Sequence, residues 1–212
     1  TSTVSGSSGA VTYSYSGTGA TSYSASATPP TNVGTYQVIA TVAADVNFNG
    51  ASSAALAFTI NQKTLTITGV TVNSKVYDNT TAATFNTSSA SLSGVVSPDV
   101  VSINASGASG TFNNVNAGSG KAVTASGFSL SGADAANYSL TQPAGLTGTI
   151  TQRPVTLTGS RVYDGTDIAL ASDVTISNNL DDVNLTLTGS GTLDLEDVGS
   201  RTISAPAALT RV

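Results

Sequence analysis

Val76-Tyr77-Asp78-Asn79-Thr80 decides how this chain is read, because it returns as Val162-Tyr163-Asp164-Gly165-Thr166. A basic residue precedes each copy, Lys75 in one and Arg161 in the other. Asp-Asn and Asp-Gly both signal a turn. The carboxylate can accept the backbone N–H two residues on, and the next residue can take a positive φ. Asn and Gly enter the left-handed region most cheaply, so their exchange predicts one backbone shape at 79 and 165. Tyr77 and Tyr163 are expected to pack their rings on the core edge and to find hydroxyl partners. The functional alternative makes Asp78 and Asp164 catalytic or metal-binding. No His or Cys stands beside either copy, and the turn reading is preferred.

Outward from these words, an internal repeat emerges. Asn47-Phe48 matches Asn137-Tyr138, and Ile60, Gln62 and Lys63 match Ile150, Gln152 and Arg153, all at an offset of 90. Lys63-Thr64-Leu65-Thr66-Ile67-Thr68-Gly69 matches Arg153-Pro154-Val155-Thr156-Leu157-Thr158-Gly159 at the same offset. Four extra residues after Gly69 reduce the offset to 86 at the Tyr-Asp words. Further on, Gly110-Thr111-Phe112 matches Gly191-Thr192-Leu193, and Gly118 matches Gly199. Self-similarity on this scale means an array of like units. The units run 1–61, 62–152 and 153–212, joined without a Gly/Ser- or Pro-rich linker. Short joints restrict the angle between neighbours, as in a stalk. The third unit stops before the region matching residues 128–138, so it reads as a truncated copy.

Within the units, apolar residues alternate. Val11, Tyr13 and Tyr15 share one face, as do Tyr36, Val38, Ala40 and Val42, and then Leu56, Phe58 and Ile60. Period-2 patterning of this kind reads as half-buried strands. Pro29-Pro30 marks a loop or a sheet edge, and Asn47-Phe48-Asn49-Gly50 a turn. No window sustains a helical period. The fold class is therefore all-β.

Composition narrows the chemistry. The 212 residues include no His, Cys, Met or Trp, and Glu196 is the sole glutamate. A Ser-His-Asp or Cys-His apparatus and an ordinary zinc site are excluded. The net charge of -5 with seven scattered basic residues argues against nucleic acid. No stretch is apolar enough to span a membrane, and no signal peptide is visible. A start at Thr1 without any Met reads as a fragment of something longer. Lack of Cys fits a cytosolic protein or a bacterial surface protein exported unfolded. Few charges and many Ser and Thr favour the second.

The second unit resembles the YDG repeat of large bacterial surface proteins. The matching words are Lys75-Val76-Tyr77-Asp78, Leu92-Ser93-Gly94-Val95-Val96, Gly120-Lys121-Ala122-Val123-Thr124 and Leu130-Ser131-Gly132-Ala133-Asp134-Ala135-Ala136-Asn137-Tyr138. Asn79 departs from the Gly of the family's motif. The third unit resembles a truncated copy. The first resembles the back half of an MBG, or "mostly bacterial immunoglobulin-like", domain, on Asn32-Val33-Gly34-Thr35-Tyr36 and Leu56-Ala57-Phe58-Thr59-Ile60. The resemblance implies tandem immunoglobulin-like β-sandwich modules arranged end to end in a secreted, filamentous-haemagglutinin-like adhesin. It implies a non-catalytic stalk or fibre on the bacterial surface, with no catalytic, cofactor-binding or metal residues. The partners it implies are neighbouring repeats, identical chains in a fibre, and host or neighbour-cell ligands, without nucleic acid or membrane insertion.

Three local features compete with that reading. Asp181-Asp182 and Asp194-Leu195-Glu196-Asp197 could supply some of the six to eight oxygens calcium needs. Their counterparts Pro98-Asp99 and Asn113-Asn114 are poorer in charge, and solvated loops are the preferred reading. An isopeptide crosslink needs a buried lysine, but Lys63, Lys75 and Lys121 align with Arg153, Arg161 and Arg201. A charge held beside a turn or strand end explains both residue types. Asn79-Thr80-Thr81 and Asn137-Tyr138-Ser139 fit the N-glycosylation pattern, as chance allows in a chain this rich in Asn, Ser and Thr. The alternative function is a module that itself binds a glycan or host protein.

Overall fold

The computed structural model describes residues 6–180, 185–194, 198–201 and 208–211. The described chain is all-β, with two 3-10 turns and no α-helix. Its residues gather into two compact units. One holds Thr1–Val70, Thr87–Ala108 and Ser126–Pro143, and the other holds Thr71–Asn86, Ser109–Ala125 and Ala144–Val212. The repeat at 62–152 contributes strands to both.

In the first unit, Gly34–Val42 is the central strand of an antiparallel sheet. It pairs with Val11–Gly17, Val11 opposite Val42, and with Leu56–Ile60, Gly34 opposite Ile60. Tyr36 is buried and stacks on Phe58, with ring centroids 5.6 Å apart. Tyr23 meets Tyr36 edge-on, and Tyr15 meets Phe58 edge-on. Such aromatic pairs stabilise beyond the area they bury. The expected inward faces hold for Val11, Tyr13 and Tyr15, which are half-buried. Leu56 is a correction: it is 68% exposed. The aromatic layer centres on Tyr36 and Phe58 and stops short of this first strand residue.

The same unit carries a three-stranded sheet centred on Lys63–Thr68. Leu65 and Ile67 point inward while Thr64, Thr66 and Thr68 face out. One edge takes Ser91–Ser93 antiparallel, and the other takes Tyr138–Thr141 parallel. Ser102–Asn104 pairs with Ser129–Ser131, bringing Ile103 opposite Leu130.

In the second unit, five strands run in the order Lys75–Val76, Leu146–Thr151, Gly118–Ser126, Ser109–Phe112, Ala82–Ala83. Phe112, Val123, Ile150 and Ala83 form the buried core, with Val72, Tyr77, Phe85 and Leu146 packed against it. Gly148 is required by close approach. A Cβ there would lie 2.6 Å from Val72 Cγ1 and 3.0 Å from the Phe112 ring.

The remaining residues of this unit repeat earlier pairings. Ile168–Leu170 pairs with Ser190–Thr192, setting Ala169 opposite Gly191. In the preceding repeat Ala83 stands opposite Gly110. Thr156–Gly159 pairs with Val174–Ser177 as Lys63–Thr68 pairs with Ser91–Ser93. Asn178 has φ 63° where Gly94 has φ 102°. Both words that the sequence aligned thus adopt one register. In the third copy Val162, Tyr163, Ile168 and Leu170 are exposed. Tyr163 corrects the expectation of a ring on the core edge, since it is 59% exposed. Tyr77 rests on the Phe112–Val123–Ile150 cluster. Among the described residues no such cluster lies against Tyr163.

Candidate functional site

The Tyr-Asp turns are built by the residues around them. Asn79 and Gly165 sit at φ 60° and 77°, the left-handed conformation their exchange predicted. That bend returns the chain so that Thr80 and Thr166 face the carboxylates. Asp78 Oδ1 accepts the Thr80 backbone N–H at 3.0 Å and the Thr80 hydroxyl at 2.9 Å. Asp164 Oδ1 accepts the same two donors of Thr166 at the same distances.

The basic residue closes each turn. Lys75 Nζ donates to Asp78 Oδ1 at 2.7 Å and to the Thr80 carbonyl at 2.8 Å. Arg161 Nη1 donates to Asp164 Oδ1 at 2.7 Å, and its Nη2 donates to the Thr166 carbonyl. One cation thus joins the carboxylate and the far end of the turn in both copies. Lys75 also sits 5.8 Å from the Phe112 ring centroid, which ties the brace to the core.

The electrostatics follow. The Lys75 hydrogen bond leads in holding the Asp78 carboxyl below its ordinary 3.8, at about 2, against an opposing effect of desolvation. The Thr166 hydroxyl and then Arg161 lower Asp164. A carboxyl held ionised, its Oδ1 already taken by three donors, is a poor general acid or base near neutral pH. The geometry is that of a cross-brace.

A second cluster lies in the first unit and escaped the sequence reading. Tyr138 donates its hydroxyl to Asp99 Oδ2 at 2.6 Å and accepts the Val96 N–H at 3.1 Å. The bond to Asp99 raises the Tyr138 phenol above its ordinary value, because the carboxylate opposes a phenolate. Asp134 accepts the Val100 N–H at 2.8 Å. The loop at 96–100 is thus pinned by the word Ala133-Asp134-Ala135-Ala136-Asn137-Tyr138. Asn137 turns toward the first module. Its Oδ1 accepts the Val33 N–H at 2.9 Å, and its Nδ2 donates to Asn32 Oδ1 at 3.2 Å. Gln62 Nε2 donates to the Ala136 carbonyl at 3.0 Å. The recurrence of Asn-Phe and Asn-Tyr at 47–48 and 137–138 was the signal available in the sequence.

Asp45 was also missed. It accepts from the Ser7 hydroxyl and from the backbone N–H groups of Ser8, Asn47 and Phe48. The Ser7 bond leads in pulling its carboxyl far down. Its role is to fix its own turn and the incoming residues 7 and 8.

The remaining candidates are dispersed. Asp181, Asp182, Glu196 and Asp197 lie outside the described residues. Among the described residues no group of three or more His, Cys, Asp or Glu is placed to hold a metal. Lys121 Nζ donates to Asn114 Oδ1 at 2.6 Å, and among the described residues no carboxylate bonds to either. Asn137, in its sequon, has its amide engaged. An open groove of about 510 Å³ runs past Leu92, Val95, Val101 and Ile103.

Compared with known proteins, residues 61–145 match the family model described as the YDG domain. No curated protein and no solved structure matches the chain. The match covers most of the repeat in which the brace, the pinned loop and the Asn137 contacts are all present.

Proposed function

We propose that this chain is a run of immunoglobulin-like β-sandwich modules set end to end, forming part of the stalk or fibre of a secreted bacterial surface adhesin. In this reading residues 1–61 are the back part of an MBG-type module, 62–152 a YDG-type repeat and 153–212 a second, shorter YDG-type copy. The role is structural and non-catalytic. It takes no metal or cofactor, and its partners are neighbouring repeats and, in a fibre, identical chains. One observation carries the reading. The Tyr-Asp brace recurs with the same hydrogen bonds in two copies, and each time its charges are spent on holding the turn itself. In both copies the Oδ1 atom and the cation are engaged with the turn's own Thr and its carbonyl.

Small-angle X-ray scattering tests the reading. A compact globule of this length has a radius of gyration of about 17 Å. A linear array gives a value well above that, with a cross-section of one module. A value near the globular one would refute the stalk.

A second reading, a module that itself binds a glycan or host protein, is favoured by exposed aromatics. Phe48 and Tyr163 are both more than half exposed, and such rings are natural sugar platforms. Glycan-array binding that disappears in Tyr163→Ala would promote it over the stalk.

A further inference from the structure

The first module ends in a particular arrangement. Gly34 pairs with Ile60, the Asn32-Val33 turn lies just before Gly34, and Gln62 follows Ile60 by two residues. These residues grip the Ala135–Asn137 turn of the next repeat. Val33 N–H and Asn32 Oδ1 engage the Asn137 amide, and Gln62 engages the Ala136 carbonyl.

The second repeat ends in the same arrangement. Gly118 pairs with Ile150, Asn116-Ala117 lies just before Gly118, and Gln152 follows Ile150 by two residues. Here no such contact is formed among the described residues. The Asn116 side chain, the Ala117 N–H and the Gln152 amide are exposed and have no hydrogen bond among the described residues. The Asn116 backbone is already ordered by Asn114 Oδ1 at 3.1 Å, and Lys121 holds Asn114 in turn. The seat is therefore shaped before anything fills it.

We propose that Asn116, Ala117 and Gln152 form a docking surface for the Ala135–Asn137 turn of a second copy of the 62–152 repeat. The occupant is identified by the first joint, where the same three positions hold that same turn. The adjoining strand agrees. Among the described residues Thr156–Gly159 pairs only with Val174–Ser177. In the preceding repeat the other edge of this strand carries Tyr138–Thr141, directly after the turn. Pro154 replaces Thr64 on that edge and has no N–H to give a ladder. The side-chain grip, more than strand addition, therefore selects the partner. The proposal rests on the end-to-end reading, and its test is local to one amide.

The test uses a chain in which a second copy of residues 63–152 replaces 153–212, followed by amide hydrogen exchange. Ala117 should exchange at least about tenfold more slowly than in the 212-residue chain, as an opening-limited hydrogen bond requires. Asn137→Ala in the added copy alone should restore fast exchange at Ala117 and leave Val33 protected. Asn137→Ala in the original chain should instead release Val33. Unchanged exchange at Ala117, an added copy that does not fold, or a Val33 amide indifferent to Asn137 would each overturn the proposal. None of these outcomes alters the scattering result for the original chain, so the two readings fail separately.

Discussion

Asp78→Ala removes the hub of the first brace. The carboxylate accepts two donors from Thr80 and one from Lys75. Losing a turn acceptor of this kind costs about 1 kcal/mol. The ion pair adds little, because the Asp78 side chain is 46% exposed and water screens it; exposed pairs are worth about 0.2–1 kcal/mol. The expected loss is therefore about 1–2 kcal/mol, a fall in Tm of roughly 2–8 °C for a chain of this size. The sign with pH is fixed by the lowered folded-state pKa. The stabilisation is complete above the unfolded value near 4 and is lost as pH falls toward 2. Urea titrations of wild type, Asp78→Ala and Asp78→Asn at pH 7 and at pH 2 measure it. Asp78→Asn, which keeps an acceptor for Thr80, should lose less than the alanine variant at pH 7. The gap between wild type and Asp78→Ala should narrow at pH 2. A gap of the same size at both pH values would show that the charge does not hold the turn.

Gly148→Ala should destabilise by about 1–3 kcal/mol in urea titration, because its Cβ would strike Val72 and the Phe112 ring. Tyr138→Phe should cost about 1 kcal/mol by the same assay, since Asp99 and the Val96 N–H lose their partner. Gly165→Ala should lower stability by about 1 kcal/mol, the cost of placing a Cβ in the left-handed region; Asn79→Ala should lose less, since Asn79 already carries a Cβ and gives up only its Oδ1 contact with the Tyr77 hydroxyl, and thermal melts check both. EDTA should leave the melting temperature unchanged, and a drop of several degrees restored by calcium would revive the acidic loops as a cation site.

The repeat was legible because its signals are local. Asp followed by Asn or Gly states its backbone shape outright, and both turns formed as read. Alternation of apolar residues placed Val11, Tyr13 and Tyr15 on one half-buried face. Leu56 follows the same alternation and Tyr163 the same motif as Tyr77, but both are exposed. Patterning names a face and does not say whether another layer lies on it. The Asn137 grip and the Tyr138–Asp99 bond stayed hidden for a different reason. They join positions 104 and 39 residues apart, and nothing in a single sequence announces which polar side chain meets which distant loop. The placement of strands from 62–152 in two compact units was likewise invisible, since self-similarity marks where a pattern restarts and not which strands pack together.

The brace has a consequence for the conditions this chain tolerates. The shifted carboxyls, Asp45, Asp78 and Asp164, move downward, and the shifted phenol of Tyr138 moves upward. Both displacements lead away from neutrality. His and Cys, whose protons ordinarily come and go near neutral pH, do not occur in the sequence at all. Across the range from mildly acidic to mildly alkaline, the turns and joints hold a constant charge. A change of pH within that range leaves the hydrogen bonds of Asp45, Asp78, Asp164 and Tyr138 with the charges they have at neutrality.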